Sequence, residues 1–188
     1  EDHVLEIGTG WGSFAIHAAQ QYGCRVTTTT ISHEQYKMAQ SRIHEAGVGE
    51  RVTVLFRDYR ELEGLYRKIV SIEMIESVGW EYLDGFFRKC SELLSSDGIM
   101  ALQAITIADQ EHERSKRSVD FIKRYIFPGG CVLSVTAMVD ALTRATDMRL
   151  VHLEDITPHY ARTLRLWRER FYGNLDKVRG LGFDERFI

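Results

Sequence analysis

The sequence predicts an α/β fold, a doubly wound and mostly parallel sheet. Three observations carry that prediction. Short apolar and β-branched runs alternate along the chain with longer segments of helical periodicity. The leading run, Val4-Leu5-Glu6-Ile7, breaks into Gly8, Gly10 and Gly12, the pattern of a buried strand that turns sharply into a helix with its backbone left bare. A second strand-like run then meets Ser32, with Gln35 three residues on, a capping box that opens a helix.

In chain order, the first strand is Val4–Ile7, and a helix follows through Trp11–Tyr22 with Phe14, Ala15, Ala18 and Ala19 on its packing face. Arg25–Thr30 is β-branched and reads as the second strand. The helix capped by Ser32 runs to about Ala46, and Val52–Phe56 is the third strand. Ile69–Met74 is the fourth. A helix carrying Phe86, Phe87, Leu93 and Leu94 follows it and ends at Asp97-Gly98. Ile99–Ile105 is the fifth strand. Helical segments are predicted at Ser118–Tyr125 and Val135–Thr143, parted by Pro128-Gly129-Gly130. Met148–Asp155 reads as a sixth strand, and Pro158 opens a helix from about His159 to Val178.

At 188 residues the chain is predicted to be one domain with a full core. Its net charge of −3 argues against a dedicated nucleic-acid binder. Cys24, Cys90 and Cys131 lie far apart without metal spacing and read as free, buried thiols of a reducing compartment. No apolar run approaches membrane-spanning length and nothing resembles a signal peptide, so a cytoplasmic protein is expected. The chain opens almost inside its first strand and stops in a charged helical segment, so it is expected to be a fragment, truncated at both ends.

Ligands on doubly wound sheets bind at the carboxyl ends of the strands. The spacing Glu6-x-Gly8-x-Gly10-x-Gly12 is not the dinucleotide pattern, whose third glycine would fall at Ser13. It resembles the first motif of S-adenosylmethionine-dependent methyltransferases. That resemblance implies that Glu6 holds the methionine ammonium, directly or through water, while the glycines let the cofactor lie against the backbone. A nucleotide-binding or purely structural turn remains open on this motif alone. After the second strand, Thr30 and Gln35 offer hydrogen bonds to ribose hydroxyls or the methionine carboxylate. After the third, Asp58 and Tyr59 stand where an adenine would lie. Ile31 and Ile72 complete the expected cofactor set. Strand filler is the alternative for most of the threonines, and a turn role for Asp58.

The chain as a whole resembles cyclopropane fatty-acyl-phospholipid synthases and the related mycolic acid methyltransferases. The stretches that carry the resemblance include Thr30-Ile31-Ser32-His33-Glu34-Gln35 and Ser71-Ile72-Glu73-Met74-Ile75-Glu76-Ser77-Val78-Gly79. More particular to that family are Tyr125-Ile126-Phe127-Pro128-Gly129-Gly130 and His159-Tyr160-Ala161-Arg162-Thr163-Leu164. The resemblance implies a Rossmann-like class I methyltransferase fold and methyl transfer to a cis double bond in a phospholipid acyl chain. The alkene attacks the sulfonium methyl, a base removes a proton from the added carbon, and the ring closes to a cyclopropane. In the family the base is a bound bicarbonate. Glu76 matches the glutamate that orients it, Tyr160 the tyrosine that bonds it, and Ile105 a position acting through its backbone.

Two departures stand out. Where the family pattern has His-Thr-Ile, this chain has Gln103-Ala104-Ile105; Gln103 can hydrogen-bond but cannot titrate. The family's active-site cysteine lies before the first strand, in a lid segment not found here, and the last sheet strand is also expected to be missing. The Gln103 departure keeps a methylene- or methyl-branched product as an alternative to the cyclopropane. A small-molecule N-methyltransferase and a non-catalytic cofactor-binding module are more distant alternatives.

A phospholipid substrate also implies contact with the inner membrane surface. Arg114, Lys116, Arg117, Lys123 and Arg124 are the candidate headgroup contacts, with a solvated face as the alternative. Leu164, Trp167, Phe171 and Leu175 fall on one helical face and read as core. A homodimer stays open.

Overall fold

The computed structural model of the chain describes residues 2–188. They fall into two compact units, one ending at Arg149 and one running from Leu150 to Ile188. The first unit holds the sheet. Strands β1 (His3–Ile7), β2 (Arg25–Thr30), β3 (Val52–Phe56), β4 (Tyr66–Ile72) and β5 (Leu94–Gln103) lie in the order β3-β2-β1-β4-β5, all parallel. Five helices accompany them: α1 (Ser13–Tyr22), α2 (His33–Glu45), α3 (Leu83–Leu93), α4 (Asp109–Arg117) and α5 (Val135–Ala145). This is the doubly wound α/β architecture that the alternating pattern predicts.

Strand periodicity divides the core in two. Leu5 and Ile7 of β1 and Ile69 of β4 cluster with Phe86, Phe87, Cys90 and Leu93 of α3. Val4 of the same strand clusters with Ala15, Ala18 and Ala19 of α1 and Ala39 and Ile43 of α2. Successive residues of one strand thus reach helices on opposite faces of the sheet. Burying Phe86 completely contributes about 2 kcal/mol through the area it removes from water. All three cysteines are buried and free.

Local chemistry sets the element ends. Helix α1 begins at Ser13 rather than Trp11 because Gly12, at φ 81°, occupies the left-handed region at its N-cap. The Ser32 hydroxyl accepts from the Gln35 backbone N–H at 3.3 Å, the first half of the predicted capping box. The reciprocal half is diverted: the Gln35 side chain accepts from Thr30 Oγ1 at 2.8 Å, and the Ser32 N–H donates to Thr30 Oγ1 at 3.1 Å. Between α3 and the straight part of β5 the register is bulged, Tyr66 pairing with Leu94 but Lys68 with Ile99. A Cβ on Gly98 would stand 2.9 Å from the backbone oxygen of Ser95, so this bulge favours glycine.

Four expectations need correction. Residues 148–155 form no strand: they have no ladder partner, and Leu150, Val151 and Leu153 are exposed. Their β-propensity has no neighbouring strand to satisfy it. The helical segment expected at Ser118–Tyr125 is displaced. Its regular part, α4, lies earlier and is laced by Glu111–Arg114 and Glu113–Lys116 pairs, and only a π-helical turn, Ile122–Ile126, follows. In the second unit the long helix is two, α6 (Thr157–Tyr172) and α7 (Leu175–Gly180), divided at Gly173-Asn174. No residue of α6 is buried, and Leu164 and Trp167 are half exposed, so its apolar stripe is not a core face. Among the described residues no helix is long and apolar enough to cross a membrane.

Candidate active site

The chain runs outward from β1 to β2 and β3, then returns to set β4 on the other side of β1. That reversal is a topological switch point, where the loops after β1 and β4 diverge to leave a crevice. The two loops meet at its base, where a Cβ on Gly8 would stand 3.0 Å from Met74 Cγ.

The β1 side is a glycine cradle over a buried carboxylate. The Gly8 and Thr9 N–H groups both donate to Thr29 O, at 3.2 and 2.9 Å, which fixes the turn against β2. Gly8, Gly10 and Gly12 all have positive φ, but their surroundings differ. A Cβ on Gly12 would lie 3.3 Å from Ala39 Cβ, so that glycine serves the packing of α1 on α2. A Cβ on Gly10 would meet nothing within 4 Å, which makes Gly10 the open face of the turn. Glu6 is only 3% exposed, and its Oε2 has no hydrogen-bond partner. Burial pushes its pKa up to about 7, partly offset by a hydrogen bond with Thr28.

Along β2 every threonine hydroxyl is engaged. Thr27 bonds His3 at 2.8 Å, Thr28 bonds Thr9 at 2.7 Å, and Thr29 donates to Arg57 O. Thr30 and Gln35 are held together, while the neighbouring Ile31 is 72% exposed. After β3, Asp58 caps a 3-10 turn and forms a two-toothed ion pair with Arg60, at 2.9 and 2.7 Å. That pair holds the Asp58 carboxyl below the usual carboxylate range. The Tyr59 ring packs edge-on against Phe86 at 5.5 Å.

The β4 side gathers the other predicted residues. The Ile105 N–H donates to Glu76 Oε1 at 2.6 Å, while Glu76 Oε2 is buried without a partner. Burial raises the pKa of Glu76, and the charge of Glu73 adds to the rise. Gln103 Nε2 donates to Glu73 Oε1 at 2.9 Å. Ile72 ends β4, partly exposed. Glu73 itself is absent from the residues singled out by sequence, and its backbone is unusual: φ is 49°, the one positive value on a non-glycine among the described residues. The only sequence signal was its place in the stretch containing Glu76. Tyr160 belongs to the second unit, on α6, where its ring meets Trp167 edge-on at 6.2 Å.

A buried carboxylate with an unpaired oxygen beneath an open glycine turn fits the ammonium and backbone-hugging tail of S-adenosylmethionine. The fold and this crevice define the Rossmann-like class I methyltransferase type. The family model for mycolic acid cyclopropane synthetase matches residues 1–188, and the chain belongs to that family. Tuberculostearic acid methyltransferase UfaA1 of Mycobacterium tuberculosis is 43% identical over 98% of the chain and 43% of its own length. The cyclopropane-fatty-acyl-phospholipid synthase of Escherichia coli is 36% identical over 98% of the chain and 45% of its own length. The chain thus spans less than half the length of these curated relatives. Among solved structures, the cyclopropane synthase MmaA2 from Mycobacterium tuberculosis superposes with TM-score 0.86 at 26% identity, covering 99% of this chain and 68% of that one.

Proposed function

We propose that the protein transfers the methyl group of S-adenosylmethionine to the cis double bond of an unsaturated phospholipid acyl chain and that the product closes to a cyclopropane. The observation that carries this reading is a pair of carboxyls that each keep one buried oxygen without a partner, Glu6 near the end of β1 and Glu76 in the turn after β4, in a cyclopropane synthetase family chain. The alkene forms a bond to the methyl carbon as the carbon–sulfur bond breaks, leaving S-adenosylhomocysteine and a carbocation. Loss of a proton from the added carbon closes the ring.

Glu6 and the Gly8–Gly12 turn hold the donor, with Thr30, Ile31, Gln35, Asp58, Tyr59 and Ile72 around it. Asp58 keeps lone pairs for the adenine amino group beyond those bound by Arg60. An alkene is a weak nucleophile, so orientation and exclusion of water carry the step. Bicarbonate, when bound, supplies the base. Glu76 and Gln103 of the first unit would hold it, and the family resemblance alone assigns Tyr160 the same role. Glu76 fits because its Oε2 is buried with no partner in the protein, and burial, the cause of its raised pKa, holds that oxygen away from bulk water. Here the Ile105 N–H steadies Glu76.

The substrate's membrane location finds support in the exposed apolar run Val119, Phe121, Ile122, Tyr125, Ile126 and Phe127. The basic residues beside it are largely engaged, Lys116 with Glu113 and the Trp80 ring, and Lys123 with Ser118 O. Work in the cytoplasm at the inner membrane surface is part of this proposal.

A second reading, a methylene- or methyl-branched product, is favoured by the neutral Gln103 held by Glu73, and by the 43% identical relative being named a methyltransferase. Carbon-13 methyl-labelled S-adenosylmethionine, bicarbonate and cis-monounsaturated phospholipid vesicles distinguish them. Label in a ring methylene is the expected result, label in an olefinic or methyl carbon selects the second reading, and no lipid label refutes both.

A further inference from the structure

Glu73 performs no role in the mechanism above, yet it is held in a conformation that a side chain avoids. At φ 49° it occupies the left-handed region, which glycine enters freely and other residues enter at a cost. Such strain persists only where the surroundings over-determine it, and it gathers at functional positions. Two tethers over-determine it here. The Glu73 N–H donates to Gln103 O at 2.9 Å, and Gln103 Nε2 donates to Glu73 Oε1 at 2.9 Å. Backbone and side chain of one residue thus both bind the backbone and side chain of the other, across the ends of β4 and β5.

The chemistry of the contact is directional. A primary amide has two ends of opposite character, and without a partner of fixed character it turns either way. An ionised carboxylate only accepts, so it draws the amide nitrogen to itself and leaves the carbonyl oxygen for another donor.

We propose that Glu73 is a positioning residue of the transfer site. It fixes the Gln103 amide so that Oε1 is the atom offered to the proton-bearing partner of the reaction. This rests on the methyl-transfer reading of Glu76 and Gln103. The bare geometry also explains why a glutamate sits at a backbone position made for glycine. The side chain is needed there, and the strain is tolerated to keep it.

The test compares Glu73→Gly, Glu73→Gln, Gln103→Ala and the Glu73→Gly/Gln103→Ala double variant in the intact protein. A merely structural Glu73 would be improved by glycine in every respect. The proposal expects a split instead. Glu73→Gly raises the melting temperature by a few degrees as strain is released. It leaves S-adenosylmethionine affinity within about two-fold while kcat falls about ten-fold. Glu73→Gln replaces the acceptor-only carboxylate with an amide that can pair in either sense, so it loses about three- to five-fold in kcat, between wild type and Glu73→Gly. On a Gln103→Ala background, Glu73→Gly costs no further activity, because the residue acts through Gln103. The side-chain amide protons of Gln103, followed by nitrogen-15 NMR, exchange faster with solvent in Glu73→Gly than in wild type. An unchanged amide signal, or a Glu73→Gly enzyme as fast as wild type, overturns the proposal. If wild type transfers no methyl to lipid, the functional reading fails, and the amide exchange still decides whether Glu73 positions Gln103.

Discussion

The ends of β1 and β4 are neighbours in the sheet and solve the same problem in opposite ways. Each strand must turn sharply away at the switch point, and each turn uses positive φ: Gly8, Gly10 and Gly12 after β1, Glu73 after β4. Glycine makes the first turn without strain and leaves it bare at Gly10. A glutamate makes the second at a cost of about 1 kcal/mol or more. Beside each lies a carboxyl with one buried, unpaired oxygen, Glu6 and Glu76. On the proposed function, the difference separates two tasks. A bare turn lets a ligand rest against the backbone, whereas a strained turn that keeps its side chain organises the polar groups of a reacting site.

That division makes predictions of decreasing size. Glu76→Gln should lower the methyl-transfer rate about 100-fold, the scale of misplacing the group that takes the proton, with cofactor affinity within two-fold by calorimetry. Gly10→Val should do the reverse, weakening cofactor binding about 30-fold by filling the open face of the turn. It should also cost about 1–2 kcal/mol of stability, because a β-branched residue is placed in the left-handed region.

Glu6→Gln should weaken cofactor binding about ten-fold by removing the ammonium's counter-charge. It should also change how stability responds to pH. The folded protein keeps the Glu6 proton up to about pH 7, whereas the unfolded chain releases it near 4.5. Folded protein therefore binds more protons across that window, and stability falls as pH rises through it, by about 3 kcal/mol in all. Urea denaturation of the ligand-free variant from pH 5 to 8 should show this decline reduced. Tyr160→Phe should cost about five-fold in rate with normal cofactor affinity, a loss measured by single-turnover transfer. Equal loss in both would make Tyr160 structural.

Much of the fold was legible because its signals are local. The β-branched run of β2 and the Ser32 cap each act within a few residues, and those elements formed where their patterns lie. Helix α3 instead stops at Leu93, and residues 94–98, expected to finish that helix, open β5. The apolar residues of 148–155 misled because a strand also needs a partner, which no local pattern supplies. Helix α4 escaped notice because its support is a ladder of charges rather than an apolar stripe. In the site, the glycine spacing was readable but not the division of labour within it. Gly12 is closed by Ala39 and Gly10 is open, a distinction that depends on where α2 packs. Glu73 was unreadable for a related reason: its importance lies in a backbone angle and a partner thirty positions away.

The separation of tasks is tested most directly by measuring S-adenosylmethionine affinity and single-turnover methyl transfer side by side in Glu6→Gln and Glu76→Gln of the intact protein. The account predicts a crossed result, with Glu6→Gln losing affinity and transferring at a near-normal rate once saturated, and Glu76→Gln binding normally and transferring slowly. Matched losses of affinity and rate in both variants would contradict it, showing one undivided site.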